Sequence, residues 1–132
     1  MATRKRAAVK PSAKKKPAAE RWASDVIVDL LHRYELPYAA LNPGASYRGL
    51  HDSIINYGQN SPVMMLCQHE ETAVQIAHGY AKASGKPMVA IVHNLVGLLH
   101  SNMAVYYAYI DRAPIFIIGA TGPMDEDRKS VV

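Results

Sequence analysis

Four short apolar runs alternating with helical stretches predict an α/β fold, a three-layer α/β/α sandwich on an open, mainly parallel sheet. Three observations carry this reading. The runs Tyr38 to Leu41, Val63 to Cys67, Met88 to Val92 and Ile115 to Ile118 are continuously apolar, as strands covered on both faces are. No hairpin turn joins any two of them. Each is separated from the next by a segment of helical periodicity, which is what a parallel crossover needs.

The elements follow in order. Ala23, Val26, Ile27, Leu30 and Leu31 recur at helical spacing, and Ser24 and Asp25 suit a first turn, so residues 23 to 33 are expected to be an amphipathic helix. The strand Tyr38 to Leu41 then runs into the turn signal Asn42-Pro43-Gly44. Tyr47 to Tyr57 is helical through Leu50, Ile54 and Ile55, and Ser61-Pro62 leads into the strand Val63 to Cys67. Glu70 to Ser84 is an alanine-rich helix stopped by Gly85, with Lys82 near its carboxyl end, where the helix dipole favours a cation. Lys86-Pro87 opens the strand Met88 to Val92, Leu98 to Ile110 is the last helix, and Pro114 opens a strand that stops at Gly119. The sheet is expected to be cut short after this fourth strand. In such sheets ligands sit outside the carboxyl ends of the strands, here Asn42 to Ser46, Gln68 to Glu71 and His93 to Gly97.

The 132 residues suit one domain, and the single cysteine, Cys67, excludes a disulfide framework or a cysteine-rich zinc site. The net charge of +4 is misleading, because residues 1 to 21 carry eight Lys or Arg against one acid. The rest holds only seven of the 15 basic but ten of the 11 acidic side chains. A tail over 1–21, rich in Ala, Lys and Pro, cannot bury enough surface to offset its ordering entropy and is expected to be disordered, leaving 22–132 as the domain. It has no apolar segment of a signal peptide, and no later stretch is apolar enough to span a bilayer, so a cytoplasmic setting is expected. Without interleaved aromatics or a reading motif, nucleic acid is not an expected partner.

Phosphate-binding glycine loops, His-Glu-x-x-His and Gly-x-Ser-x-Gly are all absent. What stands out is His69-Glu70-Glu71-Thr72-Ala73, followed by Ala77-His78-Gly79-Tyr80-Ala81 and Gly85-Lys86-Pro87. Together with Asn42-Pro43-Gly44, the Gly97 to Pro114 spacing and the apolar strand ending at Gly119, this resembles the pyrimidine-binding domain of thiamine-diphosphate enzymes. The resemblance is to the acetolactate synthases, the benzoylformate decarboxylases and related members. The resemblance covers residues 23 to 122, with Glu70 placed nine positions before the Gly of Gly-Tyr-Ala, as that family requires.

The resemblance implies thiamine diphosphate as cofactor, held by Glu70, Pro43, Gly44 and Gly97. It gives Glu70 the catalytic role of bonding N1′ of the aminopyrimidine, so that the exocyclic nitrogen can take the proton from C2 of the thiazolium. It sets His93 beside a 2-keto acid substrate and implies either a homo-oligomer or a partner chain with the diphosphate-binding domain. The magnesium ligands belong to that domain, whose Gly-Asp-Gly signature is missing here, and no metal ligands are expected on this chain. It is therefore expected to be a component of a lyase or transferase, a 2-keto-acid decarboxylase or an acetolactate-synthase-like carboligase, inactive alone. The alternative is a truncated, non-catalytic association domain. Taken without the resemblance, Glu70 is a first-turn acid suited to the helix dipole, and His93 a hydrogen-bonded residue at a strand end.

Two departures from the family bear on the pocket. Leu95-Val96-Gly97-Leu98-Leu99-His100 replaces the Gly-Pro-Gly-Ala-Thr-Asn of the synthases, which implies a bulkier, more apolar loop. Ala45 replaces the serine of the benzoylformate enzymes. Of the remaining residues, His69 and His100 carry no assigned role, His78 is expected on the helix surface, and Cys67 is expected to be a buried, inert thiol.

Overall fold

The computed structural model describes residues 21–121; most of the tail reading, and the chain end beyond Thr121, lie outside them. The elements run α1 (Ala23–Arg33), β1 (Tyr38–Leu41), a 3-10 turn (Ala45–Tyr47), α2 (Arg48–Asp52), a π-helical turn (Ser53–Tyr57) and β2 (Val63–Leu66). There follow α3 (Glu70–Ser84), β3 (Met88–Val92), α4 (Leu95–His100), α5 (Asn102–Ile110) and β4 (Ile115–Gly119). All three strand pairings are parallel, in the order β2-β1-β3-β4. The expected α/β/α sandwich on a parallel sheet is what the chain forms.

Side-chain alternation along the strands divides the core in two. Ala39 and Leu41 of β1 and Val89 and Ile91 of β3 face Val28 and Leu31 of α1 together with Tyr47, Leu50 and Ile54. Ala40, Met88, Ala90 and Val92 point the other way, onto Ala73, Val74 and Ala77 of α3 and Ala104 of α5. Alanine on α3 brings that helix close to the sheet, and Gly85, at φ 69, ends it in the left-handed conformation that glycine adopts without penalty.

Several expectations need correction. Only β1 and β3 are covered on both faces. β2 and β4 are edges, and Val63, Met65, Leu66 and Phe116 are exposed, so a continuous apolar run did not distinguish edge from centre. The single helix expected over 98–110 is two: α4 begins at Leu95, and the buried Ser101, whose hydroxyl bonds back to Leu98 O at 3.0 Å, interrupts the run. The helix expected from Tyr47 starts as a 3-10 turn and widens to π geometry at Ser53, where the buried Ser53 hydroxyl donates to Asp25 Oδ1 at 2.7 Å and ties the π turn to α1. His78 is not a surface residue: it is buried, with Nε2 3.0 Å from Asp111 Oδ2. Cys67 is buried, and burial pushes its thiol pKa up, which disfavours the reactive thiolate.

Arg21, counted with the tail by charge, is held against α1 and the π turn. Its guanidinium bonds Asp29 and lies 5.6 Å from the centre of the Tyr57 ring, while Tyr57 OH donates to Asp29 Oδ1 at 2.8 Å.

Leu41 and Leu66 are partners on one rung of the β1–β2 pair, the first fully buried and the second 69% exposed. Leu41→Ala is expected to cost about 2–5 kcal/mol. Leu66→Ala should shift stability by no more than about 0.5 kcal/mol. Urea denaturation of the two variants checks the contrast.

Asp111 follows α5 and binds α3, its carboxylate accepting from Lys82 Nζ at 2.6 Å and lying beside His78. The Lys82 bond, with a smaller contribution from His78, holds the Asp111 pKa below the ordinary carboxylate value. A depressed carboxylate pKa adds stability above the unfolded pKa, about 4, and that stability is lost as pH falls through the folded value. Asp111→Asn is therefore expected to lower the urea midpoint at pH 7 and to differ less from the wild type at pH 3.

Candidate functional site

The three turns at the carboxyl ends of β1, β2 and β3 converge. The turn after β1 meets the one after β3 through Ser46 Oγ, which accepts from Asn94 N at 3.3 Å, and through Gly44, which lies under the His93 ring. Gly44 is extended, with φ −156, so its conformation is open to any residue. Space is what excludes a side chain, because a Cβ there would lie 2.3 Å from His93 Cδ2. Gly97, in the first turn of α4, closes over the segment after β2: a Cβ on it would stand 2.9 Å from Glu70 Oε1 and 2.8 Å from His93 Cβ. Glu70, Gly97, His93 and Gly44 thus form one constellation. Pro43 is exposed beside Gly44.

Glu70 opens α3 and is 5% exposed. The amino-terminal end of the helix dipole favours its negative charge. Among the described residues no side-chain hydrogen bond reaches its carboxylate, and its oxygens are not among the fully enclosed atoms, so the residue is packed in while its head stays open to solvent. Its neighbour His69 caps the helix instead, Nδ1 accepting from Glu71 N at 3.2 Å, which leaves the proton of the neutral ring on Nε2. His93 has the opposite polarity. Its Nδ1 donates to Asn94 Oδ1 at 2.6 Å, leaving Nε2 as the acceptor.

Sequence reasoning missed two neighbours of Glu70. Tyr47 has a buried hydroxyl with no partner among the described residues, and its pKa is pushed up to about 12, first by burial and then by the Glu70 charge. Its position three residues past Gly44 is visible in the sequence, but a lone Tyr there reads as the start of a helix. His100 closes α4 and stacks on His69, with centroids 4.9 Å apart and planes 15° from parallel. The segment 95–100 is helical, with Gly97 and His100 beside Glu70 and with Leu95, Val96, Leu98 and Leu99 exposed.

The thiamine pyrophosphate enzyme N-terminal TPP-binding domain matches residues 21–131. The chain belongs to this family. It is 34% identical over 83 residues to the acetolactate synthase large subunit of Lactococcus lactis subsp. lactis, a match covering 62% of this chain and 14% of that protein. A provisionally assigned thiamin diphosphate-dependent enzyme of Mycobacterium smegmatis, solved by X-ray crystallography, superposes with a TM-score of 0.68 at 25% identity over 78% of this chain and 19% of its own. The benzoylformate decarboxylase of Polynucleobacter necessarius, at 22% identity and a TM-score of 0.62, shares the fold over the same fractions. The chain therefore spans less than a fifth of the length of these relatives. Family membership implies thiamine diphosphate as the ligand of this domain.

The residues present fit the pyrimidine end of that cofactor: a carboxylate at the head of α3 with no side-chain hydrogen bond among the described residues, held close to a glycine where a Cβ would stand 2.9 Å away, near the enclosed and unpartnered Tyr47 hydroxyl. Gly97→Ala is expected to displace Glu70 and weaken thiamine-diphosphate binding by at least about tenfold, while leaving far-UV circular dichroism unchanged. Isothermal titration of both proteins, each with a diphosphate-domain partner present, measures the effect.

Proposed function

We propose that this chain supplies the pyrimidine-binding half of a thiamine-diphosphate site in a 2-keto-acid decarboxylase or an acetolactate-synthase-like carboligase. The observation that carries this reading is Glu70, packed in at the head of α3 with no side-chain hydrogen bond to its carboxylate among the described residues, in a chain of this family. When bound, the cofactor would supply an acyl-anion equivalent from the keto acid. Glu70 would hold and return a proton at N1′ of the aminopyrimidine, a role within reach of a positioned carboxyl group. Gly44 and Gly97 would serve by letting the turns after β1 and β3 close onto His93 and Glu70. His93, with Nε2 free to accept or, when protonated, to donate, would face the substrate.

The diphosphate end requires the Gly-Asp-Gly magnesium motif, which this sequence lacks, so magnesium and diphosphate would be held on another domain or chain. We take the assembly to be at least dimeric and cytoplasmic. Exposed Leu95, Leu98, Leu99, Tyr106 and Tyr109 on α4 and α5 support association. Among the described residues no helix is long and apolar enough to cross a membrane. The same apolar surface favours a second reading, a non-catalytic association domain of this fold.

One titration separates the two. The chain, alone and with diphosphate-domain partners, is combined with thiamine diphosphate and magnesium, and pyruvate consumption is followed. The catalytic reading expects turnover only with a partner, falling by at least about a hundredfold in both Glu70→Gln and Glu70→Ala. Turnover that survives Glu70→Gln would remove Glu70 from the chemistry. Stable association with no partner-dependent turnover would favour the association domain.

A further inference from the structure

His69, Glu70 and His100 each place one ligand atom so that all three lie within 4.8 Å of one another. Two imidazoles and a carboxylate form a donor set that suits zinc and its first-row neighbours, whereas magnesium and calcium take oxygen ligands. We infer that these three side chains form a site for a divalent transition-metal ion, and that an ion bound there engages the Glu70 carboxylate directly.

The geometry needs only a short closure. Ligands around tetrahedral zinc stand about 3.3 Å apart, so the donors must draw in by on the order of 1 Å. His100 is exposed at the end of α4, and its stack on His69 already brings the two rings together next to Glu70. Coordination competes with the bond from Glu71 N to His69 Nδ1, since either ring nitrogen of His69 can bind metal only if that cap is given up or its proton moves. One cap bond is a small loss against three metal–ligand bonds. The resemblance to the synthases sets His100 where they carry Asn, a residue that does not complete an imidazole pair. A carboxylate engaged by metal cannot also hold a proton for a cofactor, so the ion would act as an inhibitor of the half-site. That consequence rests on the cofactor role proposed for Glu70; the metal site does not.

The test uses the full chain without thiamine diphosphate. Cobalt(II) is titrated while visible absorption is followed, and zinc is titrated by calorimetry, for the wild type, His69→Ala, His100→Ala, His100→Gln and a distant control, His51→Ala. The expected result is saturable binding of one ion per chain, weakened by at least about tenfold in each of the three site variants and unchanged in His51→Ala. The absence of saturable binding in the wild type overturns the proposal, as does binding that His100→Gln leaves intact or that His51→Ala abolishes. Failure here leaves the partner-dependent thiamine titration untouched, and failure of that titration leaves the metal result standing.

Discussion

The arrangement of the site depends on one steric constraint: two turns must approach a carboxylate and an imidazole more closely than any Cβ would permit. Gly97 lies against Glu70 and His93, and Gly44 lies under the ring of His93. Glu70 is thereby packed in as a residue although no side-chain hydrogen bond reaches its carboxylate among the described residues. The parallel sheet brings this about. β1 and β3 are adjacent central strands, so the turns that follow them emerge side by side, and α3 delivers Glu70 between them from the edge strand β2.

The two halves of the core serve this arrangement differently. The face under α1 and α2 is built from Leu, Ile and Val and is tied by the buried Asp25–Ser53 bond. The face under α3 is built largely from alanine, which draws the helix in and fixes the height of its amino terminus above the sheet. At the far end of α3, His78 and Lys82 hold Asp111 after α5, so the helix that presents Glu70 is anchored at both ends. Glu70 therefore owes its position to packing well below it.

Much of this was legible in the sequence, because the signals were local. The apolar runs, Gly85 and the prolines gave the bounds of α1, β1, α3 and β3, and the three carboxyl-end turns followed from topology alone. What escaped depended on contacts distant in sequence. Nothing near Val63 or Ile115 says that these strands are edges. His78 reads as surface until Asp111, 33 residues on, is brought beneath it. The break at Ser101 is a side-chain bond to a backbone carbonyl three residues back, within a run whose composition stays helical throughout. His100 gains significance only when α4 folds back over the head of α3. The pairing of His69 with His100 joins residues that no local pattern connects.

The opposed polarity of the two imidazoles beside Glu70 gives the site a sense of direction. His69 turns an N–H outward and His93 turns out a lone pair, each fixed by a bond at its other ring nitrogen. Each tautomer therefore depends on one neighbouring group, Glu71 N for His69 and Asn94 Oδ1 for His93, and loss of that group would leave the ring free to carry its proton on either nitrogen.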